Sequence, residues 1–347
     1  MKVKIGIIGC GKIAQVRHIP EYKENKNAEI VGFYGRNEDR TQKMVEKYGG
    51  KSYTSYEELL ANPGIDAVSI CTANHVHAEM AIAALKAGKH VLCEKPMATR
   101  LEDCEKMVEV AKRTGKLLMI GHNQRYAKAH DKAKKLIQEG VIGEIITFKT
   151  TFGHGGPETW SIDPGKNVWF FRKSEAGLGA IGDLGIHKTD LIQFLTGQVV
   201  VETTAKLVTL HKKDAQGHPI GVEDNAFCIY RMSGGIVGTM TASWNYYGPE
   251  DNSTILYGTK GIMHIYDDAQ YSIKIMLKNG ENIYYDIDQI QTNDNQSKSG
   301  VIDHFVECLV ENKEPEISGT EALKAMRAVF ASMESSKTGR TVVVQQY

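Results

Sequence analysis

Three side chains in two short motifs have the chemistry to move a proton and to stabilise charge on an oxygen atom. Lys95 lies in the tripeptide Glu94-Lys95-Pro96, and Asp183 and His187 lie in the segment Gly182-Asp183-Leu184-Gly185-Ile186-His187. A lysine ammonium can stabilise a developing oxyanion. Histidine ordinarily titrates near neutrality, so it can accept the proton of an alcohol. These residue types therefore indicate oxidation of an alcohol or the reverse reduction.

Asp183 and His187 also have a purely structural interpretation. They are four residues apart at the predicted start of a helix that runs to about Thr196, so they share one helix face. Asp183 could orient His187, or it could cap the helix N-terminus. The same face carries Leu191 and Phe194, and the residues of this helix alone favour a core histidine beside an ordinary N-cap.

Lys95 follows a predicted buried strand. It would lie at the carboxyl edge of a parallel sheet, where α/β proteins bind their ligands. Without the other motifs, a surface lysine at a strand end is the default interpretation. The elements that position Lys95 therefore decide whether it is a functional lysine or a surface lysine.

A glycine turn, Gly9-Cys10-Gly11-Lys12-Ile13-Ala14, follows the first predicted strand and opens a helix. This is the context that the dinucleotide-binding fingerprint requires. Gly9 permits the tight turn, and Gly11 allows a pyrophosphate to approach the backbone. The N–H groups at the start of the helix, at Lys12 and Ile13, are expected to face the phosphates.

The second predicted strand ends in Tyr34-Gly35-Arg36-Asn37, without the acidic residue that usually binds the adenosine ribose. Arg36 could pair with a 2′-phosphate or stack on adenine. Alternatively, Arg36 is a surface cation, and Glu38 or Asp39 binds the ribose. The sequence therefore favours NADP as the cofactor, and NAD is nearly as strongly favoured.

The order of apolar patterns predicts an α/β protein of two domains. Residues 1–122 alternate short apolar runs with helical patterns, which is typical of a Rossmann doubly wound parallel sheet. Residues 123–347 show longer alternating strands, which predict an α+β domain with a large, mainly antiparallel open sheet. The predicted strands of the first domain are 3–9, 29–34, 67–72, 90–94 and 117–121.

Composition limits the possible partners. The chain has 347 residues, with Lys plus Arg and Asp plus Glu at 42 each. No global charge would therefore draw it to nucleic acid or to an anionic membrane. No apolar run is long enough to span a bilayer. The six cysteines are scattered singly, and the first strand leaves no room for a signal peptide, so we expect reduced thiols and a cytoplasmic protein.

Metal binding is not expected. His75 and His77 are two residues apart on a predicted helix and point in different directions. No nearby Asp or Cys completes a ligand set.

Four motifs in this order resemble the Gfo/Idh/MocA family of sugar and inositol oxidoreductases. They are the glycine turn, Thr72-Ala73-Asn74-His75-Val76-His77, Glu94-Lys95-Pro96 and the segment 182–187. The resemblance covers nearly the whole chain and implies that Lys95, Asp183 and His187 are catalytic. His187 would be the general base, Lys95 the oxyanion stabiliser and Asp183 the residue that orients His187 and binds a substrate hydroxyl. It also implies a cis peptide before Pro96.

The resemblance implies cofactor contacts as well. They fall on Thr72, Asn74, His77, Glu94 and Lys95. For Asn74, the alternative is helix capping.

Substrate contacts beyond Lys95, Asp183 and His187 are expected from two places. Arg125 begins the second domain, where the family often has an arginine near the substrate, although ordinary packing explains it nearly as well. The stretch from His154 to Ser174 contains Trp169 and could cover a sugar by ring stacking. An oligomer contact or a surface loop is the alternative for this stretch.

The resulting hypothesis is an NAD(P)-dependent dehydrogenase that acts on a secondary hydroxyl of a sugar, polyol or inositol. The exposed face of the second sheet would make it a homodimer or homotetramer. Two alternatives stay open: an NAD-dependent glycosidase of the same fold, and a non-catalytic protein that senses NAD(P).

Overall fold

A computed structural model describes residues 2–290 and 298–346. The chain divides into two compact units. Unit 1 comprises Met1–His122 with Gln296–Leu323, and unit 2 comprises Asn123–Asn295 with Lys324–Tyr347. The structure thus groups Gln296–Leu323 with unit 1, whereas the boundary proposed from chain order assigns them to the second domain.

Unit 1 contains a six-stranded sheet in the order β3-β2-β1-β4-β5-β6. Every neighbouring pair is parallel. The side chains of Ile5, Ile7 and Ile8 are fully buried, as expected for a strand with helices on both sides of its sheet. The strands are β1 (Val3–Ile8), β2 (Ala28–Tyr34), β3 (Lys51–Ser52), β4 (Ala67–Ile70), β5 (His90–Cys93) and β6 (Leu118–Ile120).

The helices of unit 1 connect these strands. The segment after the glycine turn, predicted as one helix, opens instead with a π-helical turn, Ala14–His18. The short pair β3 and α3 has too few residues to show periodicity and was not predicted. The helices are α1 (Ile19–Glu24), α2 (Glu38–Tyr48), α3 (Tyr56–Ala61), α4 (His77–Lys86) and α5 (Leu101–Thr114).

Unit 2 contains a nine-stranded open sheet in the order β14-β13-β12-β11-β7-β10-β9-β8-β15. Its pairs are antiparallel except β7 with β10. The strands are β7 (Ile145–Gly153), β8 (Val200–Val208), β9 (Asn225–Met232), β10 (Val237–Ser243), β11 (Thr254–Gly258), β12 (Gly261–Ile265), β13 (Ile273–Leu277), β14 (Asn282–Tyr285) and β15 (Val342–Val343).

Strand β9 shows why this sheet has two different faces. Cys228, Tyr230 and Met232 are buried, whereas the alternate residues Phe227 and Ile229 are exposed. Side chains alternate across a strand, so one face packs on the unit and the other does not. The predicted fold class, a Rossmann sheet followed by a mainly antiparallel open sheet, is confirmed.

The remaining helices complete the fold. The helices are α6 (Lys128–Gln138), α7 (Pro157–Trp160), α8 (Lys173–Ala176), α9 (Ile186–Thr196), α10 (Val301–Glu311) and α11 (Gly319–Thr338). Within residues 2–290 and 298–346, no helix combines the length and the apolar character needed to cross a membrane.

Candidate functional site

The glycine turn has the backbone that its sequence requires. Gly9 has a φ of 97°, which favours glycine. A Cβ at Gly9 would lie 2.6 Å from the carbonyl oxygen of Cys71, whereas one at Gly11 would meet only that same oxygen, at 3.8 Å. The turn therefore combines tight packing at Gly9 with open space at Gly11, as close approach of a pyrophosphate requires. Lys12 and Ile13 follow, both partly exposed.

Helix α2 begins directly after the end of β2, where ribose selectivity is expected. The side chain of Asn37 accepts a hydrogen bond from the backbone N–H of Arg40 at 2.8 Å and caps the helix. Arg36 is exposed at the strand end, and Glu38 and Asp39 lie in the first turn of α2. Arg36, which would bind a phosphate, lies at this end of the sheet, and so do Glu38 and Asp39, which would bind the ribose. Both predicted interpretations therefore stay open.

The segment after β4 is held by His77. Its Nδ1 lies 2.9 Å from the carbonyl oxygen of Pro96, and its Nε2 lies 3.2 Å from that of Thr72. Burial lowers the pKa of His77, although both carbonyls favour its charged form. The neutral ring donates to one carbonyl at a time, so His77 links two loops at the carboxyl edge of the sheet.

Thr72 and Asn74 fit a polar ligand near the same edge. Within the part of the chain that the structure describes, the buried Thr72 Oγ1 has no hydrogen-bond partner. Asn74 is buried where a short 3₁₀ turn begins. A hydroxyl without a partner beside the glycine turn fits a cofactor that would supply the missing hydrogen bond.

Lys95 follows β5 and is half-buried, and the Lys95–Pro96 peptide is cis. The preceding Glu94 carboxylate lies 2.9 Å from His18 Nε2 and 3.5 Å from Arg17 Nη1. Burial by itself would raise the pKa of Glu94, but the hydrogen bond from His18 and the charges of His18 and Arg17 lower it to about 2. Glu94 is therefore ionised, and His18 and Arg17 contact its carboxylate.

Asp183 and His187 lie on either side of a change in helix type. Asp183 belongs to a π-helical turn, Ile181–Gly185, and His187 belongs to α9. The alternative that Asp183 is the N-cap residue is wrong, because Ala180 and Gly185 hold the N-cap positions of the two segments. Instead, Asp183 Oδ2 accepts a hydrogen bond of 3.0 Å from the indole N–H of Trp244. Both side chains are nearly buried, with 6% and 7% of their surfaces exposed.

Aromatic rings connect this pair to the stretch 154–174. The Phe152 ring lies 5.9 Å from the ring of His187. Trp169 stacks on Phe170 at 3.8 Å, and Phe170 contacts Trp244 edge-on at 6.5 Å. Within unit 2, the stretch predicted to cover a sugar therefore packs on the residue that holds Asp183.

Lys188, next to His187, is fully buried, and its ammonium donates to the carbonyl oxygen of Asn252 at 2.8 Å. Burial lowers its pKa to about 7, although Asp251 and Glu250 favour the charged form. Glu250 has a pKa raised to about 7, chiefly by burial. Lys188 therefore lies close to two partly exposed carboxyl groups, and it follows His187 directly in the same helix.

Arg125 makes a bidentate ion pair with Asp190 in unit 2. Its Nε and Nη2 lie 2.7 Å and 2.6 Å from the two carboxylate oxygens, and its guanidinium lies 5.4 Å from the Phe194 ring centre. These contacts support the packing interpretation of Arg125, while its substrate contact stays a prediction.

The entrance to the π-helical turn is held by Glu223. Its Oε1 accepts the N–H groups of Gly179 at 2.8 Å and Ile181 at 3.2 Å. Burial raises the pKa of Glu223 to about 7. Glu223 thereby orients the backbone that carries Asp183.

Several of these supporting residues were not predicted from the sequence. His18 ends the π-helical turn that follows the glycine turn. Glu223 and Trp244 lie far from Asp183 along the chain. One sequence feature could have identified Lys188, because it is a lysine among the apolar residues of a buried helix. Within the described residues, no group of three His, Cys, Asp or Glu side chains could hold a metal ion.

The structure places the predicted residues in both units. Lys95 belongs to unit 1, together with the glycine turn, Thr72, Asn74 and His77. Asp183 and His187 belong to unit 2, together with Arg125 and Trp169. Their catalytic and binding roles stay predictions at this point.

Comparison with known proteins adds independent evidence. The model of an oxidoreductase family with an NAD-binding Rossmann fold, GFO_IDH_MocA, matches residues 3–122. A model of the GFO/IDH/MocA C-terminal domain matches residues 130–264. The two matches follow one another along most of the chain.

Individual relatives agree with these matches. The chain is 32% identical to the 1,5-anhydro-D-fructose reductase of Ensifer adhaerens, over 74% of this chain and 73% of the relative. It is 26% identical to the myo-inositol 2-dehydrogenase of Thermotoga maritima, over 99% of both chains. A solved levoglucosan dehydrogenase in complex with NADH and levoglucosan matches with a TM-score of 0.87, at 25% identity over 100% of both chains. The chain therefore belongs to the Gfo/Idh/MocA family of oxidoreductases.

Proposed function

We propose that this protein is a nicotinamide-dependent dehydrogenase that transfers a hydride between the cofactor and a secondary carbinol of a sugar, polyol or inositol. The family membership establishes an oxidoreductase with an NAD-binding domain. The named relatives act on an anhydrosugar, an inositol and levoglucosan, which supports a polyhydroxylated substrate. When bound, a nicotinamide cofactor would supply the hydride acceptor in the oxidation and the hydride donor in the reduction.

The catalytic roles follow from the chemistry of the side chains. In the oxidation, the substrate C–H bond breaks with its electron pair, and the hydroxyl proton passes to His187. The Lys95 ammonium stabilises the negative charge that develops on the oxygen. Asp183 orients His187 and accepts a hydrogen bond from a second substrate hydroxyl. The reverse reduction returns the proton from His187 to the alkoxide.

One observation carries this assignment. The Asp183 carboxylate receives the Trp244 indole N–H, and His187 follows one turn later beneath the Phe152 ring. A carboxylate in a fixed orientation therefore lies one helical turn before the imidazole that we propose as general base. The aromatic rings around the pair also suit the apolar faces of a sugar ring.

The cofactor residues we propose are Gly9, Gly11, Lys12, Ile13, Thr72, Asn74, His77, Glu94 and Lys95. Two structural features support this set: the space above Gly11, and the Thr72 hydroxyl without a partner among the described residues. Glu94 and His77 contact other protein groups, and we propose that they act by holding the neighbouring loops.

The experiment is a panel of sugars, polyols and inositols assayed with NAD and with NADP, read as the absorbance of reduced nicotinamide. Lys95→Met and His187→Ala are expected to lower kcat by about 100-fold or more. Cofactor affinity, measured by fluorescence titration, should change little. Lys86→Met and His218→Ala alter exposed side chains of the same types and should retain wild-type turnover.

Three results would contradict the proposal. Near-wild-type turnover in Lys95→Met or His187→Ala would remove the catalytic assignment. Glycoside cleavage with tightly retained nucleotide and no net reduction would identify a glycosidase. Nucleotide binding without turnover on any member of the panel would identify a sensor.

We also propose that Arg36 gives a preference for NADP over NAD. The acidic side chain that usually ends the second strand would repel a 2′-phosphate, and this chain lacks it. The exposed Arg36 after β2 supports the preference. Arg36→Ala should raise the KM for NADP by about tenfold, corresponding to the loss of one charge-assisted pair, and leave the KM for NAD within about twofold. Strong wild-type activity with NAD alone would refute the preference.

We propose that the exposed face of the unit 2 sheet joins two copies of the chain into a homodimer or homotetramer. Phe227, Ile229 and Val237 on this face are 44%, 51% and 44% exposed, an unusual cluster of large apolar side chains. Ile229→Lys should lower the molar mass measured by light scattering. Val310→Lys, at an equally exposed apolar residue of α10, should leave it unchanged. A monomeric wild-type protein would refute the proposal.

A further inference from the structure

A buried chain of hydrogen bonds ends at the backbone of Lys95. Tyr22 Oη lies 3.0 Å from Ser69 Oγ, which lies 2.9 Å from His18 Nδ1. On the other side of the ring, His18 Nε2 lies 2.9 Å from Glu94 Oε1. The second carboxylate oxygen of Glu94 accepts the backbone N–H of Lys95 at 3.2 Å. Four side chains of unit 1 thus connect the protein interior to the residue that we propose as oxyanion stabiliser.

The directions of these bonds follow from the charge on Glu94. An ionised carboxylate only accepts hydrogen bonds, so His18 Nε2 must carry a proton and donate it. The Glu94 pKa of about 2 means that the carboxylate stays ionised across the neutral range. Arg17 places a positive charge at 3.5 Å from the same oxygen.

The cost of this arrangement indicates that it has a purpose. His18 and Ser69 have no exposed surface, and Tyr22 and Glu94 have 1% and 5%. The ion pair between Arg17 and Glu94 gains little net stability in such a place over an apolar pair, because both charges lose their hydration. The fold thus keeps an internal ion pair directly behind a candidate catalytic residue.

His18 reaches Glu94 through a local departure from the α-helix. Ala14–His18 is a π-helical turn, which holds an extra residue and rotates the following side chains about the axis. Arg17 and His18, consecutive in sequence, are both buried and both contact Glu94. Turns of this kind are frequent at functional sites.

Gly121 closes the other side of the carboxylate. A Cβ at Gly121 would lie 3.1 Å from Glu94 Oε1 and 3.2 Å from its Oε2. The carboxylate is therefore enclosed between the imidazole of His18 and the backbone of Gly121. It has little room to rotate away from the Lys95 N–H.

We propose that His18 is a positioning residue for Lys95, acting through Glu94. By holding the Glu94 carboxylate, His18 sets the backbone direction from which the Lys95 side chain leaves the carboxyl edge of the sheet. This inference rests on the proposed catalytic role of Lys95. Because misplacing a reacting group by about 1 Å can cost on the order of 100-fold in rate, a supporting pair of this kind affects turnover.

The test compares two substitutions that keep different halves of the imidazole. The amide nitrogen of Gln can occupy the place of Nε2 and donate to Glu94, whereas the shorter Asn reaches only the place of Nδ1. His18→Asn should lower kcat by about tenfold or more with the cofactor KM within about twofold, and His18→Gln should restore most of the loss. His304→Asn, at a partly buried histidine of α10 in unit 1, is the control and should turn over like the wild type.

A second readout needs neither substrate nor cofactor. Trace acetylation by acetic anhydride, quantified by mass spectrometry, reports the reactivity of the Lys95 amine relative to the exposed Lys86. His18→Asn should change this ratio by about twofold or more, because the Lys95 amine would then occupy different surroundings. His18→Gln should return the ratio towards the wild-type value. If the wild type transfers no hydride, the proposed function fails, while this labelling still tests the positioning.

Two results overturn the inference. One is a folded His18→Asn variant with wild-type kcat and labelling. The other is an equal loss in folded His18→Asn and His18→Gln, since the donor to Glu94 would then be irrelevant. If His18→Asn does not fold, Ser69→Ala decides, because it releases the ring at Nδ1 and leaves both His18 and Glu94 in place. Altered Lys95 labelling in that variant supports the inference, and unchanged labelling overturns it.

Discussion

The ion pair between Arg125 and Asp190 offers a sharp test of how unit 2 holds helix α9. Asp190 lies three residues after His187, so the same helix carries both. The side chains of Arg125 and Asp190 are 6% and 2% exposed, and two hydrogen bonds of 2.6 Å and 2.7 Å join them. Asp190→Asn keeps the size of the side chain but leaves the guanidinium buried without its counter-charge.

The expected cost follows from that burial. Removing one partner of a buried ion pair costs about 3–5 kcal/mol of unfolding free energy. For a unit of roughly 150–250 residues this corresponds to a fall of about 6–20 °C in Tm. The double replacement Arg125→Met with Asp190→Leu removes both charges, so it should recover most of this loss.

The assay is urea unfolding followed by tryptophan fluorescence. All three tryptophans, Trp160, Trp169 and Trp244, belong to unit 2, so their emission reports on that unit. The control is Asp131→Asn, whose ion pair with Lys135 is exposed and should cost no more than about 0.5 kcal/mol. If Asp190→Asn costs as little as the control, or if the double replacement is no better than the single one, the reasoning from burial is refuted.

Three further substitutions test other parts of the structure. Gly9→Ala should raise the cofactor Kd by about tenfold or more in a fluorescence titration, because of its positive φ and the nearby Cys71 carbonyl; an unchanged Kd would contradict the turn geometry. The pKa of Lys188 is lowered from 10.5 to about 7, so the unfolded chain binds more protons and stability should rise with pH across that window. Lys188→Met should abolish this rise in urea unfolding, and Lys173→Met, at an exposed lysine, should keep it. Glu223→Ala removes the acceptor of two buried N–H groups and should cost about 2–5 kcal/mol, whereas Glu223→Gln should cost less than about 1 kcal/mol; equal costs would contradict the capping role.

Much of the fold was readable from local patterns. The runs before Gly9 and Thr72 are continuous and apolar because parallel strands are buried on both faces, and they were predicted at nearly their observed ends. The glycine turn was readable because its backbone needs glycine at a stated position. The two-residue strand β3 and the short helix α3 were missed, since neither is long enough to show a period.

The glycine turn and the apolar patterns were enough to predict the dinucleotide fold, because backbone constraints are local properties of the chain. Lys95, Asp183 and His187 became candidate reacting residues through the order of four motifs, and the folded chain was needed to show what holds them. His18 lies 76 positions before its partner Glu94, and Trp244 lies 61 positions after Asp183. No periodicity relates residues so far apart, since their contact depends on how strands and helices pack. For the same reason, the structure assigned Asp183 to an indole partner instead of a helix cap.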